Sequence, residues 1–213
     1  MNTTRILAIR HGETAWNVDT RIQGQLDIPL NETGRWQAGR MALALADEPI
    51  RTIYASDLLR ARETALALAE ATELPVLSEE GLREREFGVF EGKTFAEIAA
   101  LWPEQSLRWR KRDPDFAPEG GESLLQFRQR VTHAVQTLAE RHRGELIALV
   151  SHGGVMDVLY RAATRQELQA PRTWALGNAA INRLLWTPQG LTLVGWADTN
   201  HLQDDESLDE TTA

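Results

Sequence analysis

No cysteine occurs among the 213 residues of this chain. A disulfide framework, a thiolate nucleophile and a cysteine-based metal site are therefore excluded at the outset. Long apolar runs are missing as well: no stretch approaches the ~18 consecutive apolar residues of a membrane span. The first residues, Met1 to Arg5, hold neither the apolar core nor the cleavage site of a secretory leader. The expectation is a cytoplasmic protein without a membrane partner. Positive net charge is lacking too. The formal charge is −8 at pH 7, whereas a nucleic-acid backbone is normally met by a basic face, so nucleic acid is not an expected partner. Asp204, Asp205, Glu206, Asp209 and Glu210 supply five of those charges in a tail, residues 202–213, that reads as a solvated terminus and leaves −3 for the rest. The histidines, His11, His133, His142, His152 and His201, show no His-Glu-x-x-His spacing, and no G-x-x-x-x-G-K-[ST] loop is present. Neither a metal nor a cofactor is expected.

What is present is ordinary globular composition, 42% hydrophobic and 25% charged residues, in a chain long enough for one well-buried domain over 1–213. Strand, loop and helix signals alternate. Short β-branched runs at Ile6–Ile9, Thr52–Ala55, Pro75–Leu77 and Glu145–Val150 read as strands, and Ile181–Trp186 and Leu191–Trp196 follow, divided by a Pro188-Gln189-Gly190 turn. Helical stretches fall at Arg35–Ala46, Leu58–Ala71 (with Ser56-Asp57 as its cap), Glu122–Arg141 and Gly154–Ala163. This order predicts an α/β fold: a three-layer sandwich with a mostly parallel central sheet flanked by helices. Between about 87 and 123 the pattern loosens around Trp102-Pro103, Asp113-Pro114 and Pro118-Glu119-Gly120-Gly121, which reads as a small helical lid excursion over the sheet's carboxyl edge.

Two of the strand runs end in a His-Gly pair, Arg10-His11-Gly12 and Ser151-His152-Gly153-Gly154. Both histidines thus fall at strand carboxyl ends, where open α/β sheets bind ligands. The first continues as Arg10-His11-Gly12-Glu13-Thr14-Ala15-Trp16-Asn17, and further motifs follow in order: Arg21-Ile22-Gln23-Gly24, Ser56-Asp57-Leu58-Leu59-Arg60-Ala61-Arg62-Glu63-Thr64-Ala65, and Leu82-Arg83-Glu84-Arg85-Glu86-Phe87-Gly88. With these the whole chain resembles the histidine phosphatase, or phosphoglycerate mutase-like, superfamily. The form Phe87-Gly88-Val89-Phe90-Glu91-Gly92 resembles its phosphatase branch.

The resemblance implies a metal-independent phosphomonoesterase acting on a small phosphorylated metabolite. His11 would be the nucleophile that becomes phosphorylated, with Arg10 and Arg62 as guanidinium clamps. Arg suits that task because its planar fork grips two phosphate oxygens and stays charged, and such cations also favour the neutral imidazole that attack requires. His152 would donate to the transferring group with Gly153 at a helix N-terminus beside it. Asn17, Gln23 and Gly24 match the phosphate-contacting segment. Glu84 is the expected proton donor, over Glu86 and Glu91, and the acid of the first step becomes the base that activates water in the second. A cofactor-dependent phosphoglycerate mutase, a phosphohistidine-protein phosphatase and a noncatalytic phospho-ligand module are the alternatives. The basic run Arg108–Arg112 reads equally as a substrate contact and as an exposed helix face, Trp102 and Trp109 are placed to shape a pocket, and Asn200-His201 has no assigned role. A monomer and a homodimer are both compatible with the chain.

Overall fold

The computed structural model describes residues 3–203. Six strands form one sheet in the order β3-β2-β4-β1-β5-β6, where β1 is Thr4–Arg10, β2 Ile50–Ala55, β3 Val76–Ser78, β4 Leu146–Ser151, β5 Ile181–Thr187 and β6 Gly190–Asp198. The neighbours from β3 to β1 are parallel. β5 runs antiparallel to β1, and the Pro188-Gln189 turn folds β6 back along β5 as a hairpin. The helices are α1 (Ala15–Val18), α2 (Glu32–Leu45), α3 (Leu59–Thr72), α4 (Phe95–Leu101), α5 (Pro103–Arg110), α6 (Leu124–Arg141) and α7 (Gly153–Thr164).

The central strands have no polar face because both faces are covered. Every residue of β4 is buried. Its Ile147 and Leu149 pack with Phe127, Val131, Val155 and Leu159 from α6 and α7, while Ala148 and Val150 pack with Met41, Leu45, Ala61 and Ala65 from α2 and α3. That alternation, at about 1.5–3 kcal/mol for each fully buried large aliphatic side chain, gives the three layers. The segment after β3 builds a smaller cluster of its own. Phe90, Ile98 and Phe116 form its centre and Phe87, Trp102 and Trp109 pack around them. Pro103 opens α5 at its first position, as the Trp102-Pro103 break predicts. Only Leu202 and Gln203 of the expected acidic tail fall within the described residues.

Two helix starts differ from the sequence pattern. α2 begins at Glu32, ahead of Arg35, because the Asn31 side chain accepts from Gly34 N–H and caps it there. α3 is not capped by Asp57, which is paired with Arg83 instead. Ser56 Oγ reaches Leu58 N–H at 3.3 Å. The N–H of Leu59 donates at 2.6 Å to Asp27, from a loop 32 residues earlier. Glu63 of α3 returns the contact by accepting from Leu30 N–H at 2.8 Å. The loop and the helix therefore hold each other.

Register places the functional end. Arg10 pairs with Ser151 across the parallel β1 and β4 ladder, so both strands stop at one level and the next residues, His11 and His152, leave the sheet side by side.

Asp27→Ala removes a remote cap, and the expected loss is about 1 kcal/mol of unfolding free energy, within the 0.5–2 kcal/mol of such caps. Urea denaturation reads it; an unchanged midpoint would show that α3 does not depend on this loop.

Candidate active site

His11 is 3% exposed, His152 is fully buried, and their ring centroids lie 5.3 Å apart. His11 Nδ1 is 2.7 Å from the Gly12 carbonyl oxygen. A carbonyl can only accept, so Nδ1 carries the proton and Nε2 keeps its lone pair. Burial, reinforced by the charges of Arg60 and Arg10, holds the His11 pKa well below the usual imidazole value. The ring is therefore neutral at neutral pH. Residue 12 has to be glycine, because a Cβ there would stand 2.4 Å from the Gly34 carbonyl oxygen. His152 Nε2 meets Ser56 Oγ at 2.8 Å, and its Nδ1 has no partner among the described residues. Burial, then Arg60, then His11, hold its pKa well below the usual value too.

Arg62, expected to be the second clamp, is exposed on α3 and does not line the cavity beside His11. Arg60 does. Successive helix residues turn by about 100°, so a helix that buries Arg60 swings Arg62 roughly 200° away. Arg60 is 1% exposed and donates to the carbonyl oxygens of Leu26 at 2.8 Å and Gly24 at 2.7 Å. Burial lowers its pKa to about 10 against the opposing pull of Glu84 and Asp27, which leaves it cationic. Arg10 donates to the Leu176 carbonyl, and its Nε has no partner among the described residues. Its pKa is lowered by burial and supported by Glu84. Gly153 packs against it, with room for a Cβ only 3.3 Å from Arg10 Nε.

Glu84 lines the same cavity at the N-terminus of α7. Its Oε2 accepts from Gly154 N–H at 2.9 Å and its Oε1 from Arg85 N–H at 2.8 Å. Glycine at 154 is required for this approach, since a Cβ would lie 2.1 Å from Glu84 Oε1. Arg130 of α6 fixes the segment by donating to the carbonyls of Gly81, Arg83 and Glu84 while pairing with Glu122. The two rival carboxylates are elsewhere. Glu86 is exposed. Glu91 Oε1 accepts from the N–H groups of Gln25 and Phe87 and so ties two loops together.

Asn17, Gln23 and Gly24 also line the cavity. Asn17 closes the capping box of α1 with Thr14 and receives Asn178 Nδ2 at 3.3 Å. Gln23 is buried with Oε1 lacking a partner among the described residues. Gly24 has φ +52°, a left-handed conformation that turns its carbonyl to Arg60. The cavity measures about 690 Å³ and is walled by Phe87, Phe95, Trp109 and Phe127. Trp109 stacks on Phe95 at 5.0 Å, whereas Trp102 packs on Phe90 and does not reach the cavity. The basic run divides likewise: Arg110 and Arg112 line the cavity, and Arg108 pairs with Asp113. Asn200 and His201 do not line it; His201 Nε2 lies 3.1 Å from the Ala179 carbonyl oxygen.

Sequence reasoning missed Arg60, Arg85, Asp157 and Arg172, all of which line the cavity. No group of three or more potential ligands that could hold a metal ion occurs among the described residues. Chemically, the arrangement joins an uncharged imidazole nitrogen, two guanidinium groups with unused donors and a carboxyl group in one space. Such a set suits nucleophilic attack on a dianion.

Residues 6–199 match the model of the histidine phosphatase superfamily, branch 1. The chain is 39% identical over 204 residues to phosphoglycerate mutase-like protein 4 of Arabidopsis thaliana, covering 93% of this chain and 87% of that one. It is 37% identical over 203 residues to the metal-independent phosphoserine phosphatase of the same plant, at 93% and 83% coverage. The structure of mycobacterial glucosyl-3-phosphoglycerate phosphatase superposes with a TM-score of 0.81 at 34% identity, over 92% of this chain and all of that one. A family model spanning nearly every described residue, with relatives at this identity, shows that the chain belongs to the histidine phosphatase superfamily, branch 1.

Proposed function

We propose that this histidine phosphatase hydrolyses small phosphomonoesters through a phosphohistidine on His11, with cationic side chains in place of a metal ion. The observation that carries the reading is the His11 Nδ1 contact to the Gly12 carbonyl, which leaves Nε2 as a bare lone pair in a ring kept neutral by burial beside Arg60 and Arg10. Relatives named for phosphoserine and for glucosyl-3-phosphoglycerate support small phosphorylated metabolites as the substrate class.

In this mechanism Nε2 attacks phosphorus in line with the departing alcohol oxygen, and the P–O bond to that oxygen breaks as the N–P bond forms. Arg10 and Arg60 meet the equatorial oxygens, where a fork of donors resists the growing charge. His152 is neutral yet still carries one ring N–H for the same oxygens. Glu84 passes its proton to the leaving oxygen, then takes one from the water that attacks the phosphohistidine. That water releases inorganic phosphate and restores His11.

The central test is rapid quenching with labelled substrate: an acid-labile, base-stable phosphoenzyme is expected from the wild type and none from His11→Ala. A phosphoenzyme in His11→Ala would overturn the assignment. Movement of the label to a second hydroxyl of the substrate, without free phosphate, would identify a mutase.

The two arginines of α3 separate cleanly. Arg60→Lys keeps the charge but loses the fork, with an expected fall in kcat of about 10²-fold or more, whereas Arg62→Lys changes kcat less than about twofold. Steady-state kinetics on one substrate compares them, and equal losses would contradict the geometry.

Glu84→Gln should slow phosphoenzyme formation from an alkyl phosphate by about 10²- to 10⁴-fold. p-Nitrophenyl phosphate should be affected far less, because its leaving group needs no proton. Pre-steady-state bursts with the two esters read the difference; a uniform loss would remove Glu84 from the role of acid.

A further inference from the structure

One carboxylate of the cavity has no part in this mechanism. Asp157 lies on α7 three residues beyond Gly154, and both line the cavity. Residues three apart share a helix face, and the rise between them is about 4.5 Å. Asp157 therefore stands one turn along the wall from the place where Glu84 meets Gly154 N–H. Its side chain is 7% exposed. Oδ2 accepts from Arg112 at 2.6 Å and from Arg161 at 3.0 Å. Oδ1 is buried and has no hydrogen-bond partner among the described residues. A buried carboxylate oxygen left without a donor is costly, and it is normally partnered by protein, water or ligand. The carboxylate torsion of aspartate is soft, so a small turn presents Oδ1 to the cavity.

Charge selects the kind of donor. Arg112 and Arg161 both bind Asp157, and Arg172 stands close enough to Arg112 for their charges to repel. Arg110 and Arg172 line the cavity with no carboxylate partner among the described residues. The cavity's arginines, Arg10, Arg60, Arg85, Arg110, Arg112 and Arg172 among them, outnumber its two carboxylates, Glu84 and Asp157, so an ammonium group meets net repulsion and a neutral hydroxyl does not.

From this we propose that Asp157 is a specificity determinant: its Oδ1 accepts a hydrogen bond from a hydroxyl on the leaving alcohol, two or three bonds from the ester oxygen. The substrates it favours are thus phosphoesters of hydroxylated alcohols, such as polyols and hydroxy acids. This inference rests on the reading of the cavity as the site of phosphoester cleavage.

A matched series tests it. 3-Phosphooxypropanoate and its 2-hydroxy and 2-ammonio derivatives share the phosphate and the carboxylate and differ only in the group that faces Asp157. In the wild type, kcat/KM for the hydroxy compound should exceed that for the unsubstituted one by about 10- to 100-fold, the range of one hydrogen bond to a charged group, with the ammonio compound below the hydroxy. Equal values overturn the proposal, and an ammonio compound preferred over the hydroxy overturns the choice of a neutral donor. Asp157→Asn turns its amide oxygen to the arginines and should reduce the hydroxyl preference about fivefold or more; an unchanged ratio removes Asp157 from recognition. If that variant does not fold, a crystal structure of His11→Ala with the hydroxy compound decides. The hydroxyl within about 3 Å of Asp157 supports the assignment, and any other position overturns it. Failure here with a normal His11 phosphoenzyme leaves the phosphatase reading intact. Absence of phosphate release from all three esters, with no phosphoenzyme, removes both.

Discussion

A guanidinium group buried beside two imidazoles is the constraint around which the rest of the functional end is built. Arg60 is sealed from solvent without an ion-pair partner at hydrogen-bond distance among the described residues, a placement that costs several kcal/mol unless the donors are satisfied. Two carbonyl oxygens, from Gly24 and Leu26, satisfy part of them, Nε is left without a partner among the described residues, and Glu84 and Asp27 add their fields. To bring its carbonyl in, Gly24 takes a left-handed backbone, and Glu91 braces the loop through Gln25. Asp27 then caps the very helix that carries Arg60. The cation in turn opposes a second positive charge on either histidine. Burial leads in keeping the nucleophile neutral and this charge adds to it, while the loop and the helix start are tied to the same residue through Gly24, Leu26 and Asp27.

Much of this end was legible in the order of residues. The two His-Gly pairs lie after apolar runs whose lengths mark buried strands, and parallel pairing of such strands aligns their ends. Glu84 was readable as well, since it stands at a fixed distance from Gly88 in a recognisable segment, while Glu86 and Glu91 had only proximity in sequence. The helix starts were less secure because capping is a competition. Asp57 is a sound capping residue that the long-range partner Arg83 engages first.

The misplaced arginine has a plain physical origin. α3 carries apolar residues almost all round, with Leu59 and Leu66 exposed as well as Ala61, Ala65 and Leu68 buried, so periodicity does not fix which face turns inward. Arg60 and Arg62 then look alike. What decides between them is a contact to the Gly24–Leu26 loop, which no local pattern reveals. Asp157 escaped for a similar reason. Alone on a helix it reads as surface, and its meaning comes from Arg112, 45 residues away and held in a left-handed backbone conformation with φ +54°.

The antiparallel strand β5 has a temporal consequence. β1 is hydrogen-bonded on one side to β4 and on the other to β5, so the earliest of the six described strands lies inside the sheet. Ala179 N–H and Asn178 Nδ2 also bind the His11 carbonyl at 3.2 and 3.0 Å, fixing the nucleophile's backbone from the last third of the chain. On the ribosome, an early apolar strand must wait for partners made more than 140 positions later, and contacts of such separation close slowly. The backbone of His11 is therefore held on both sides only after the Asn178–Ala179 segment has joined β1, so the position of the nucleophile depends on residues made late.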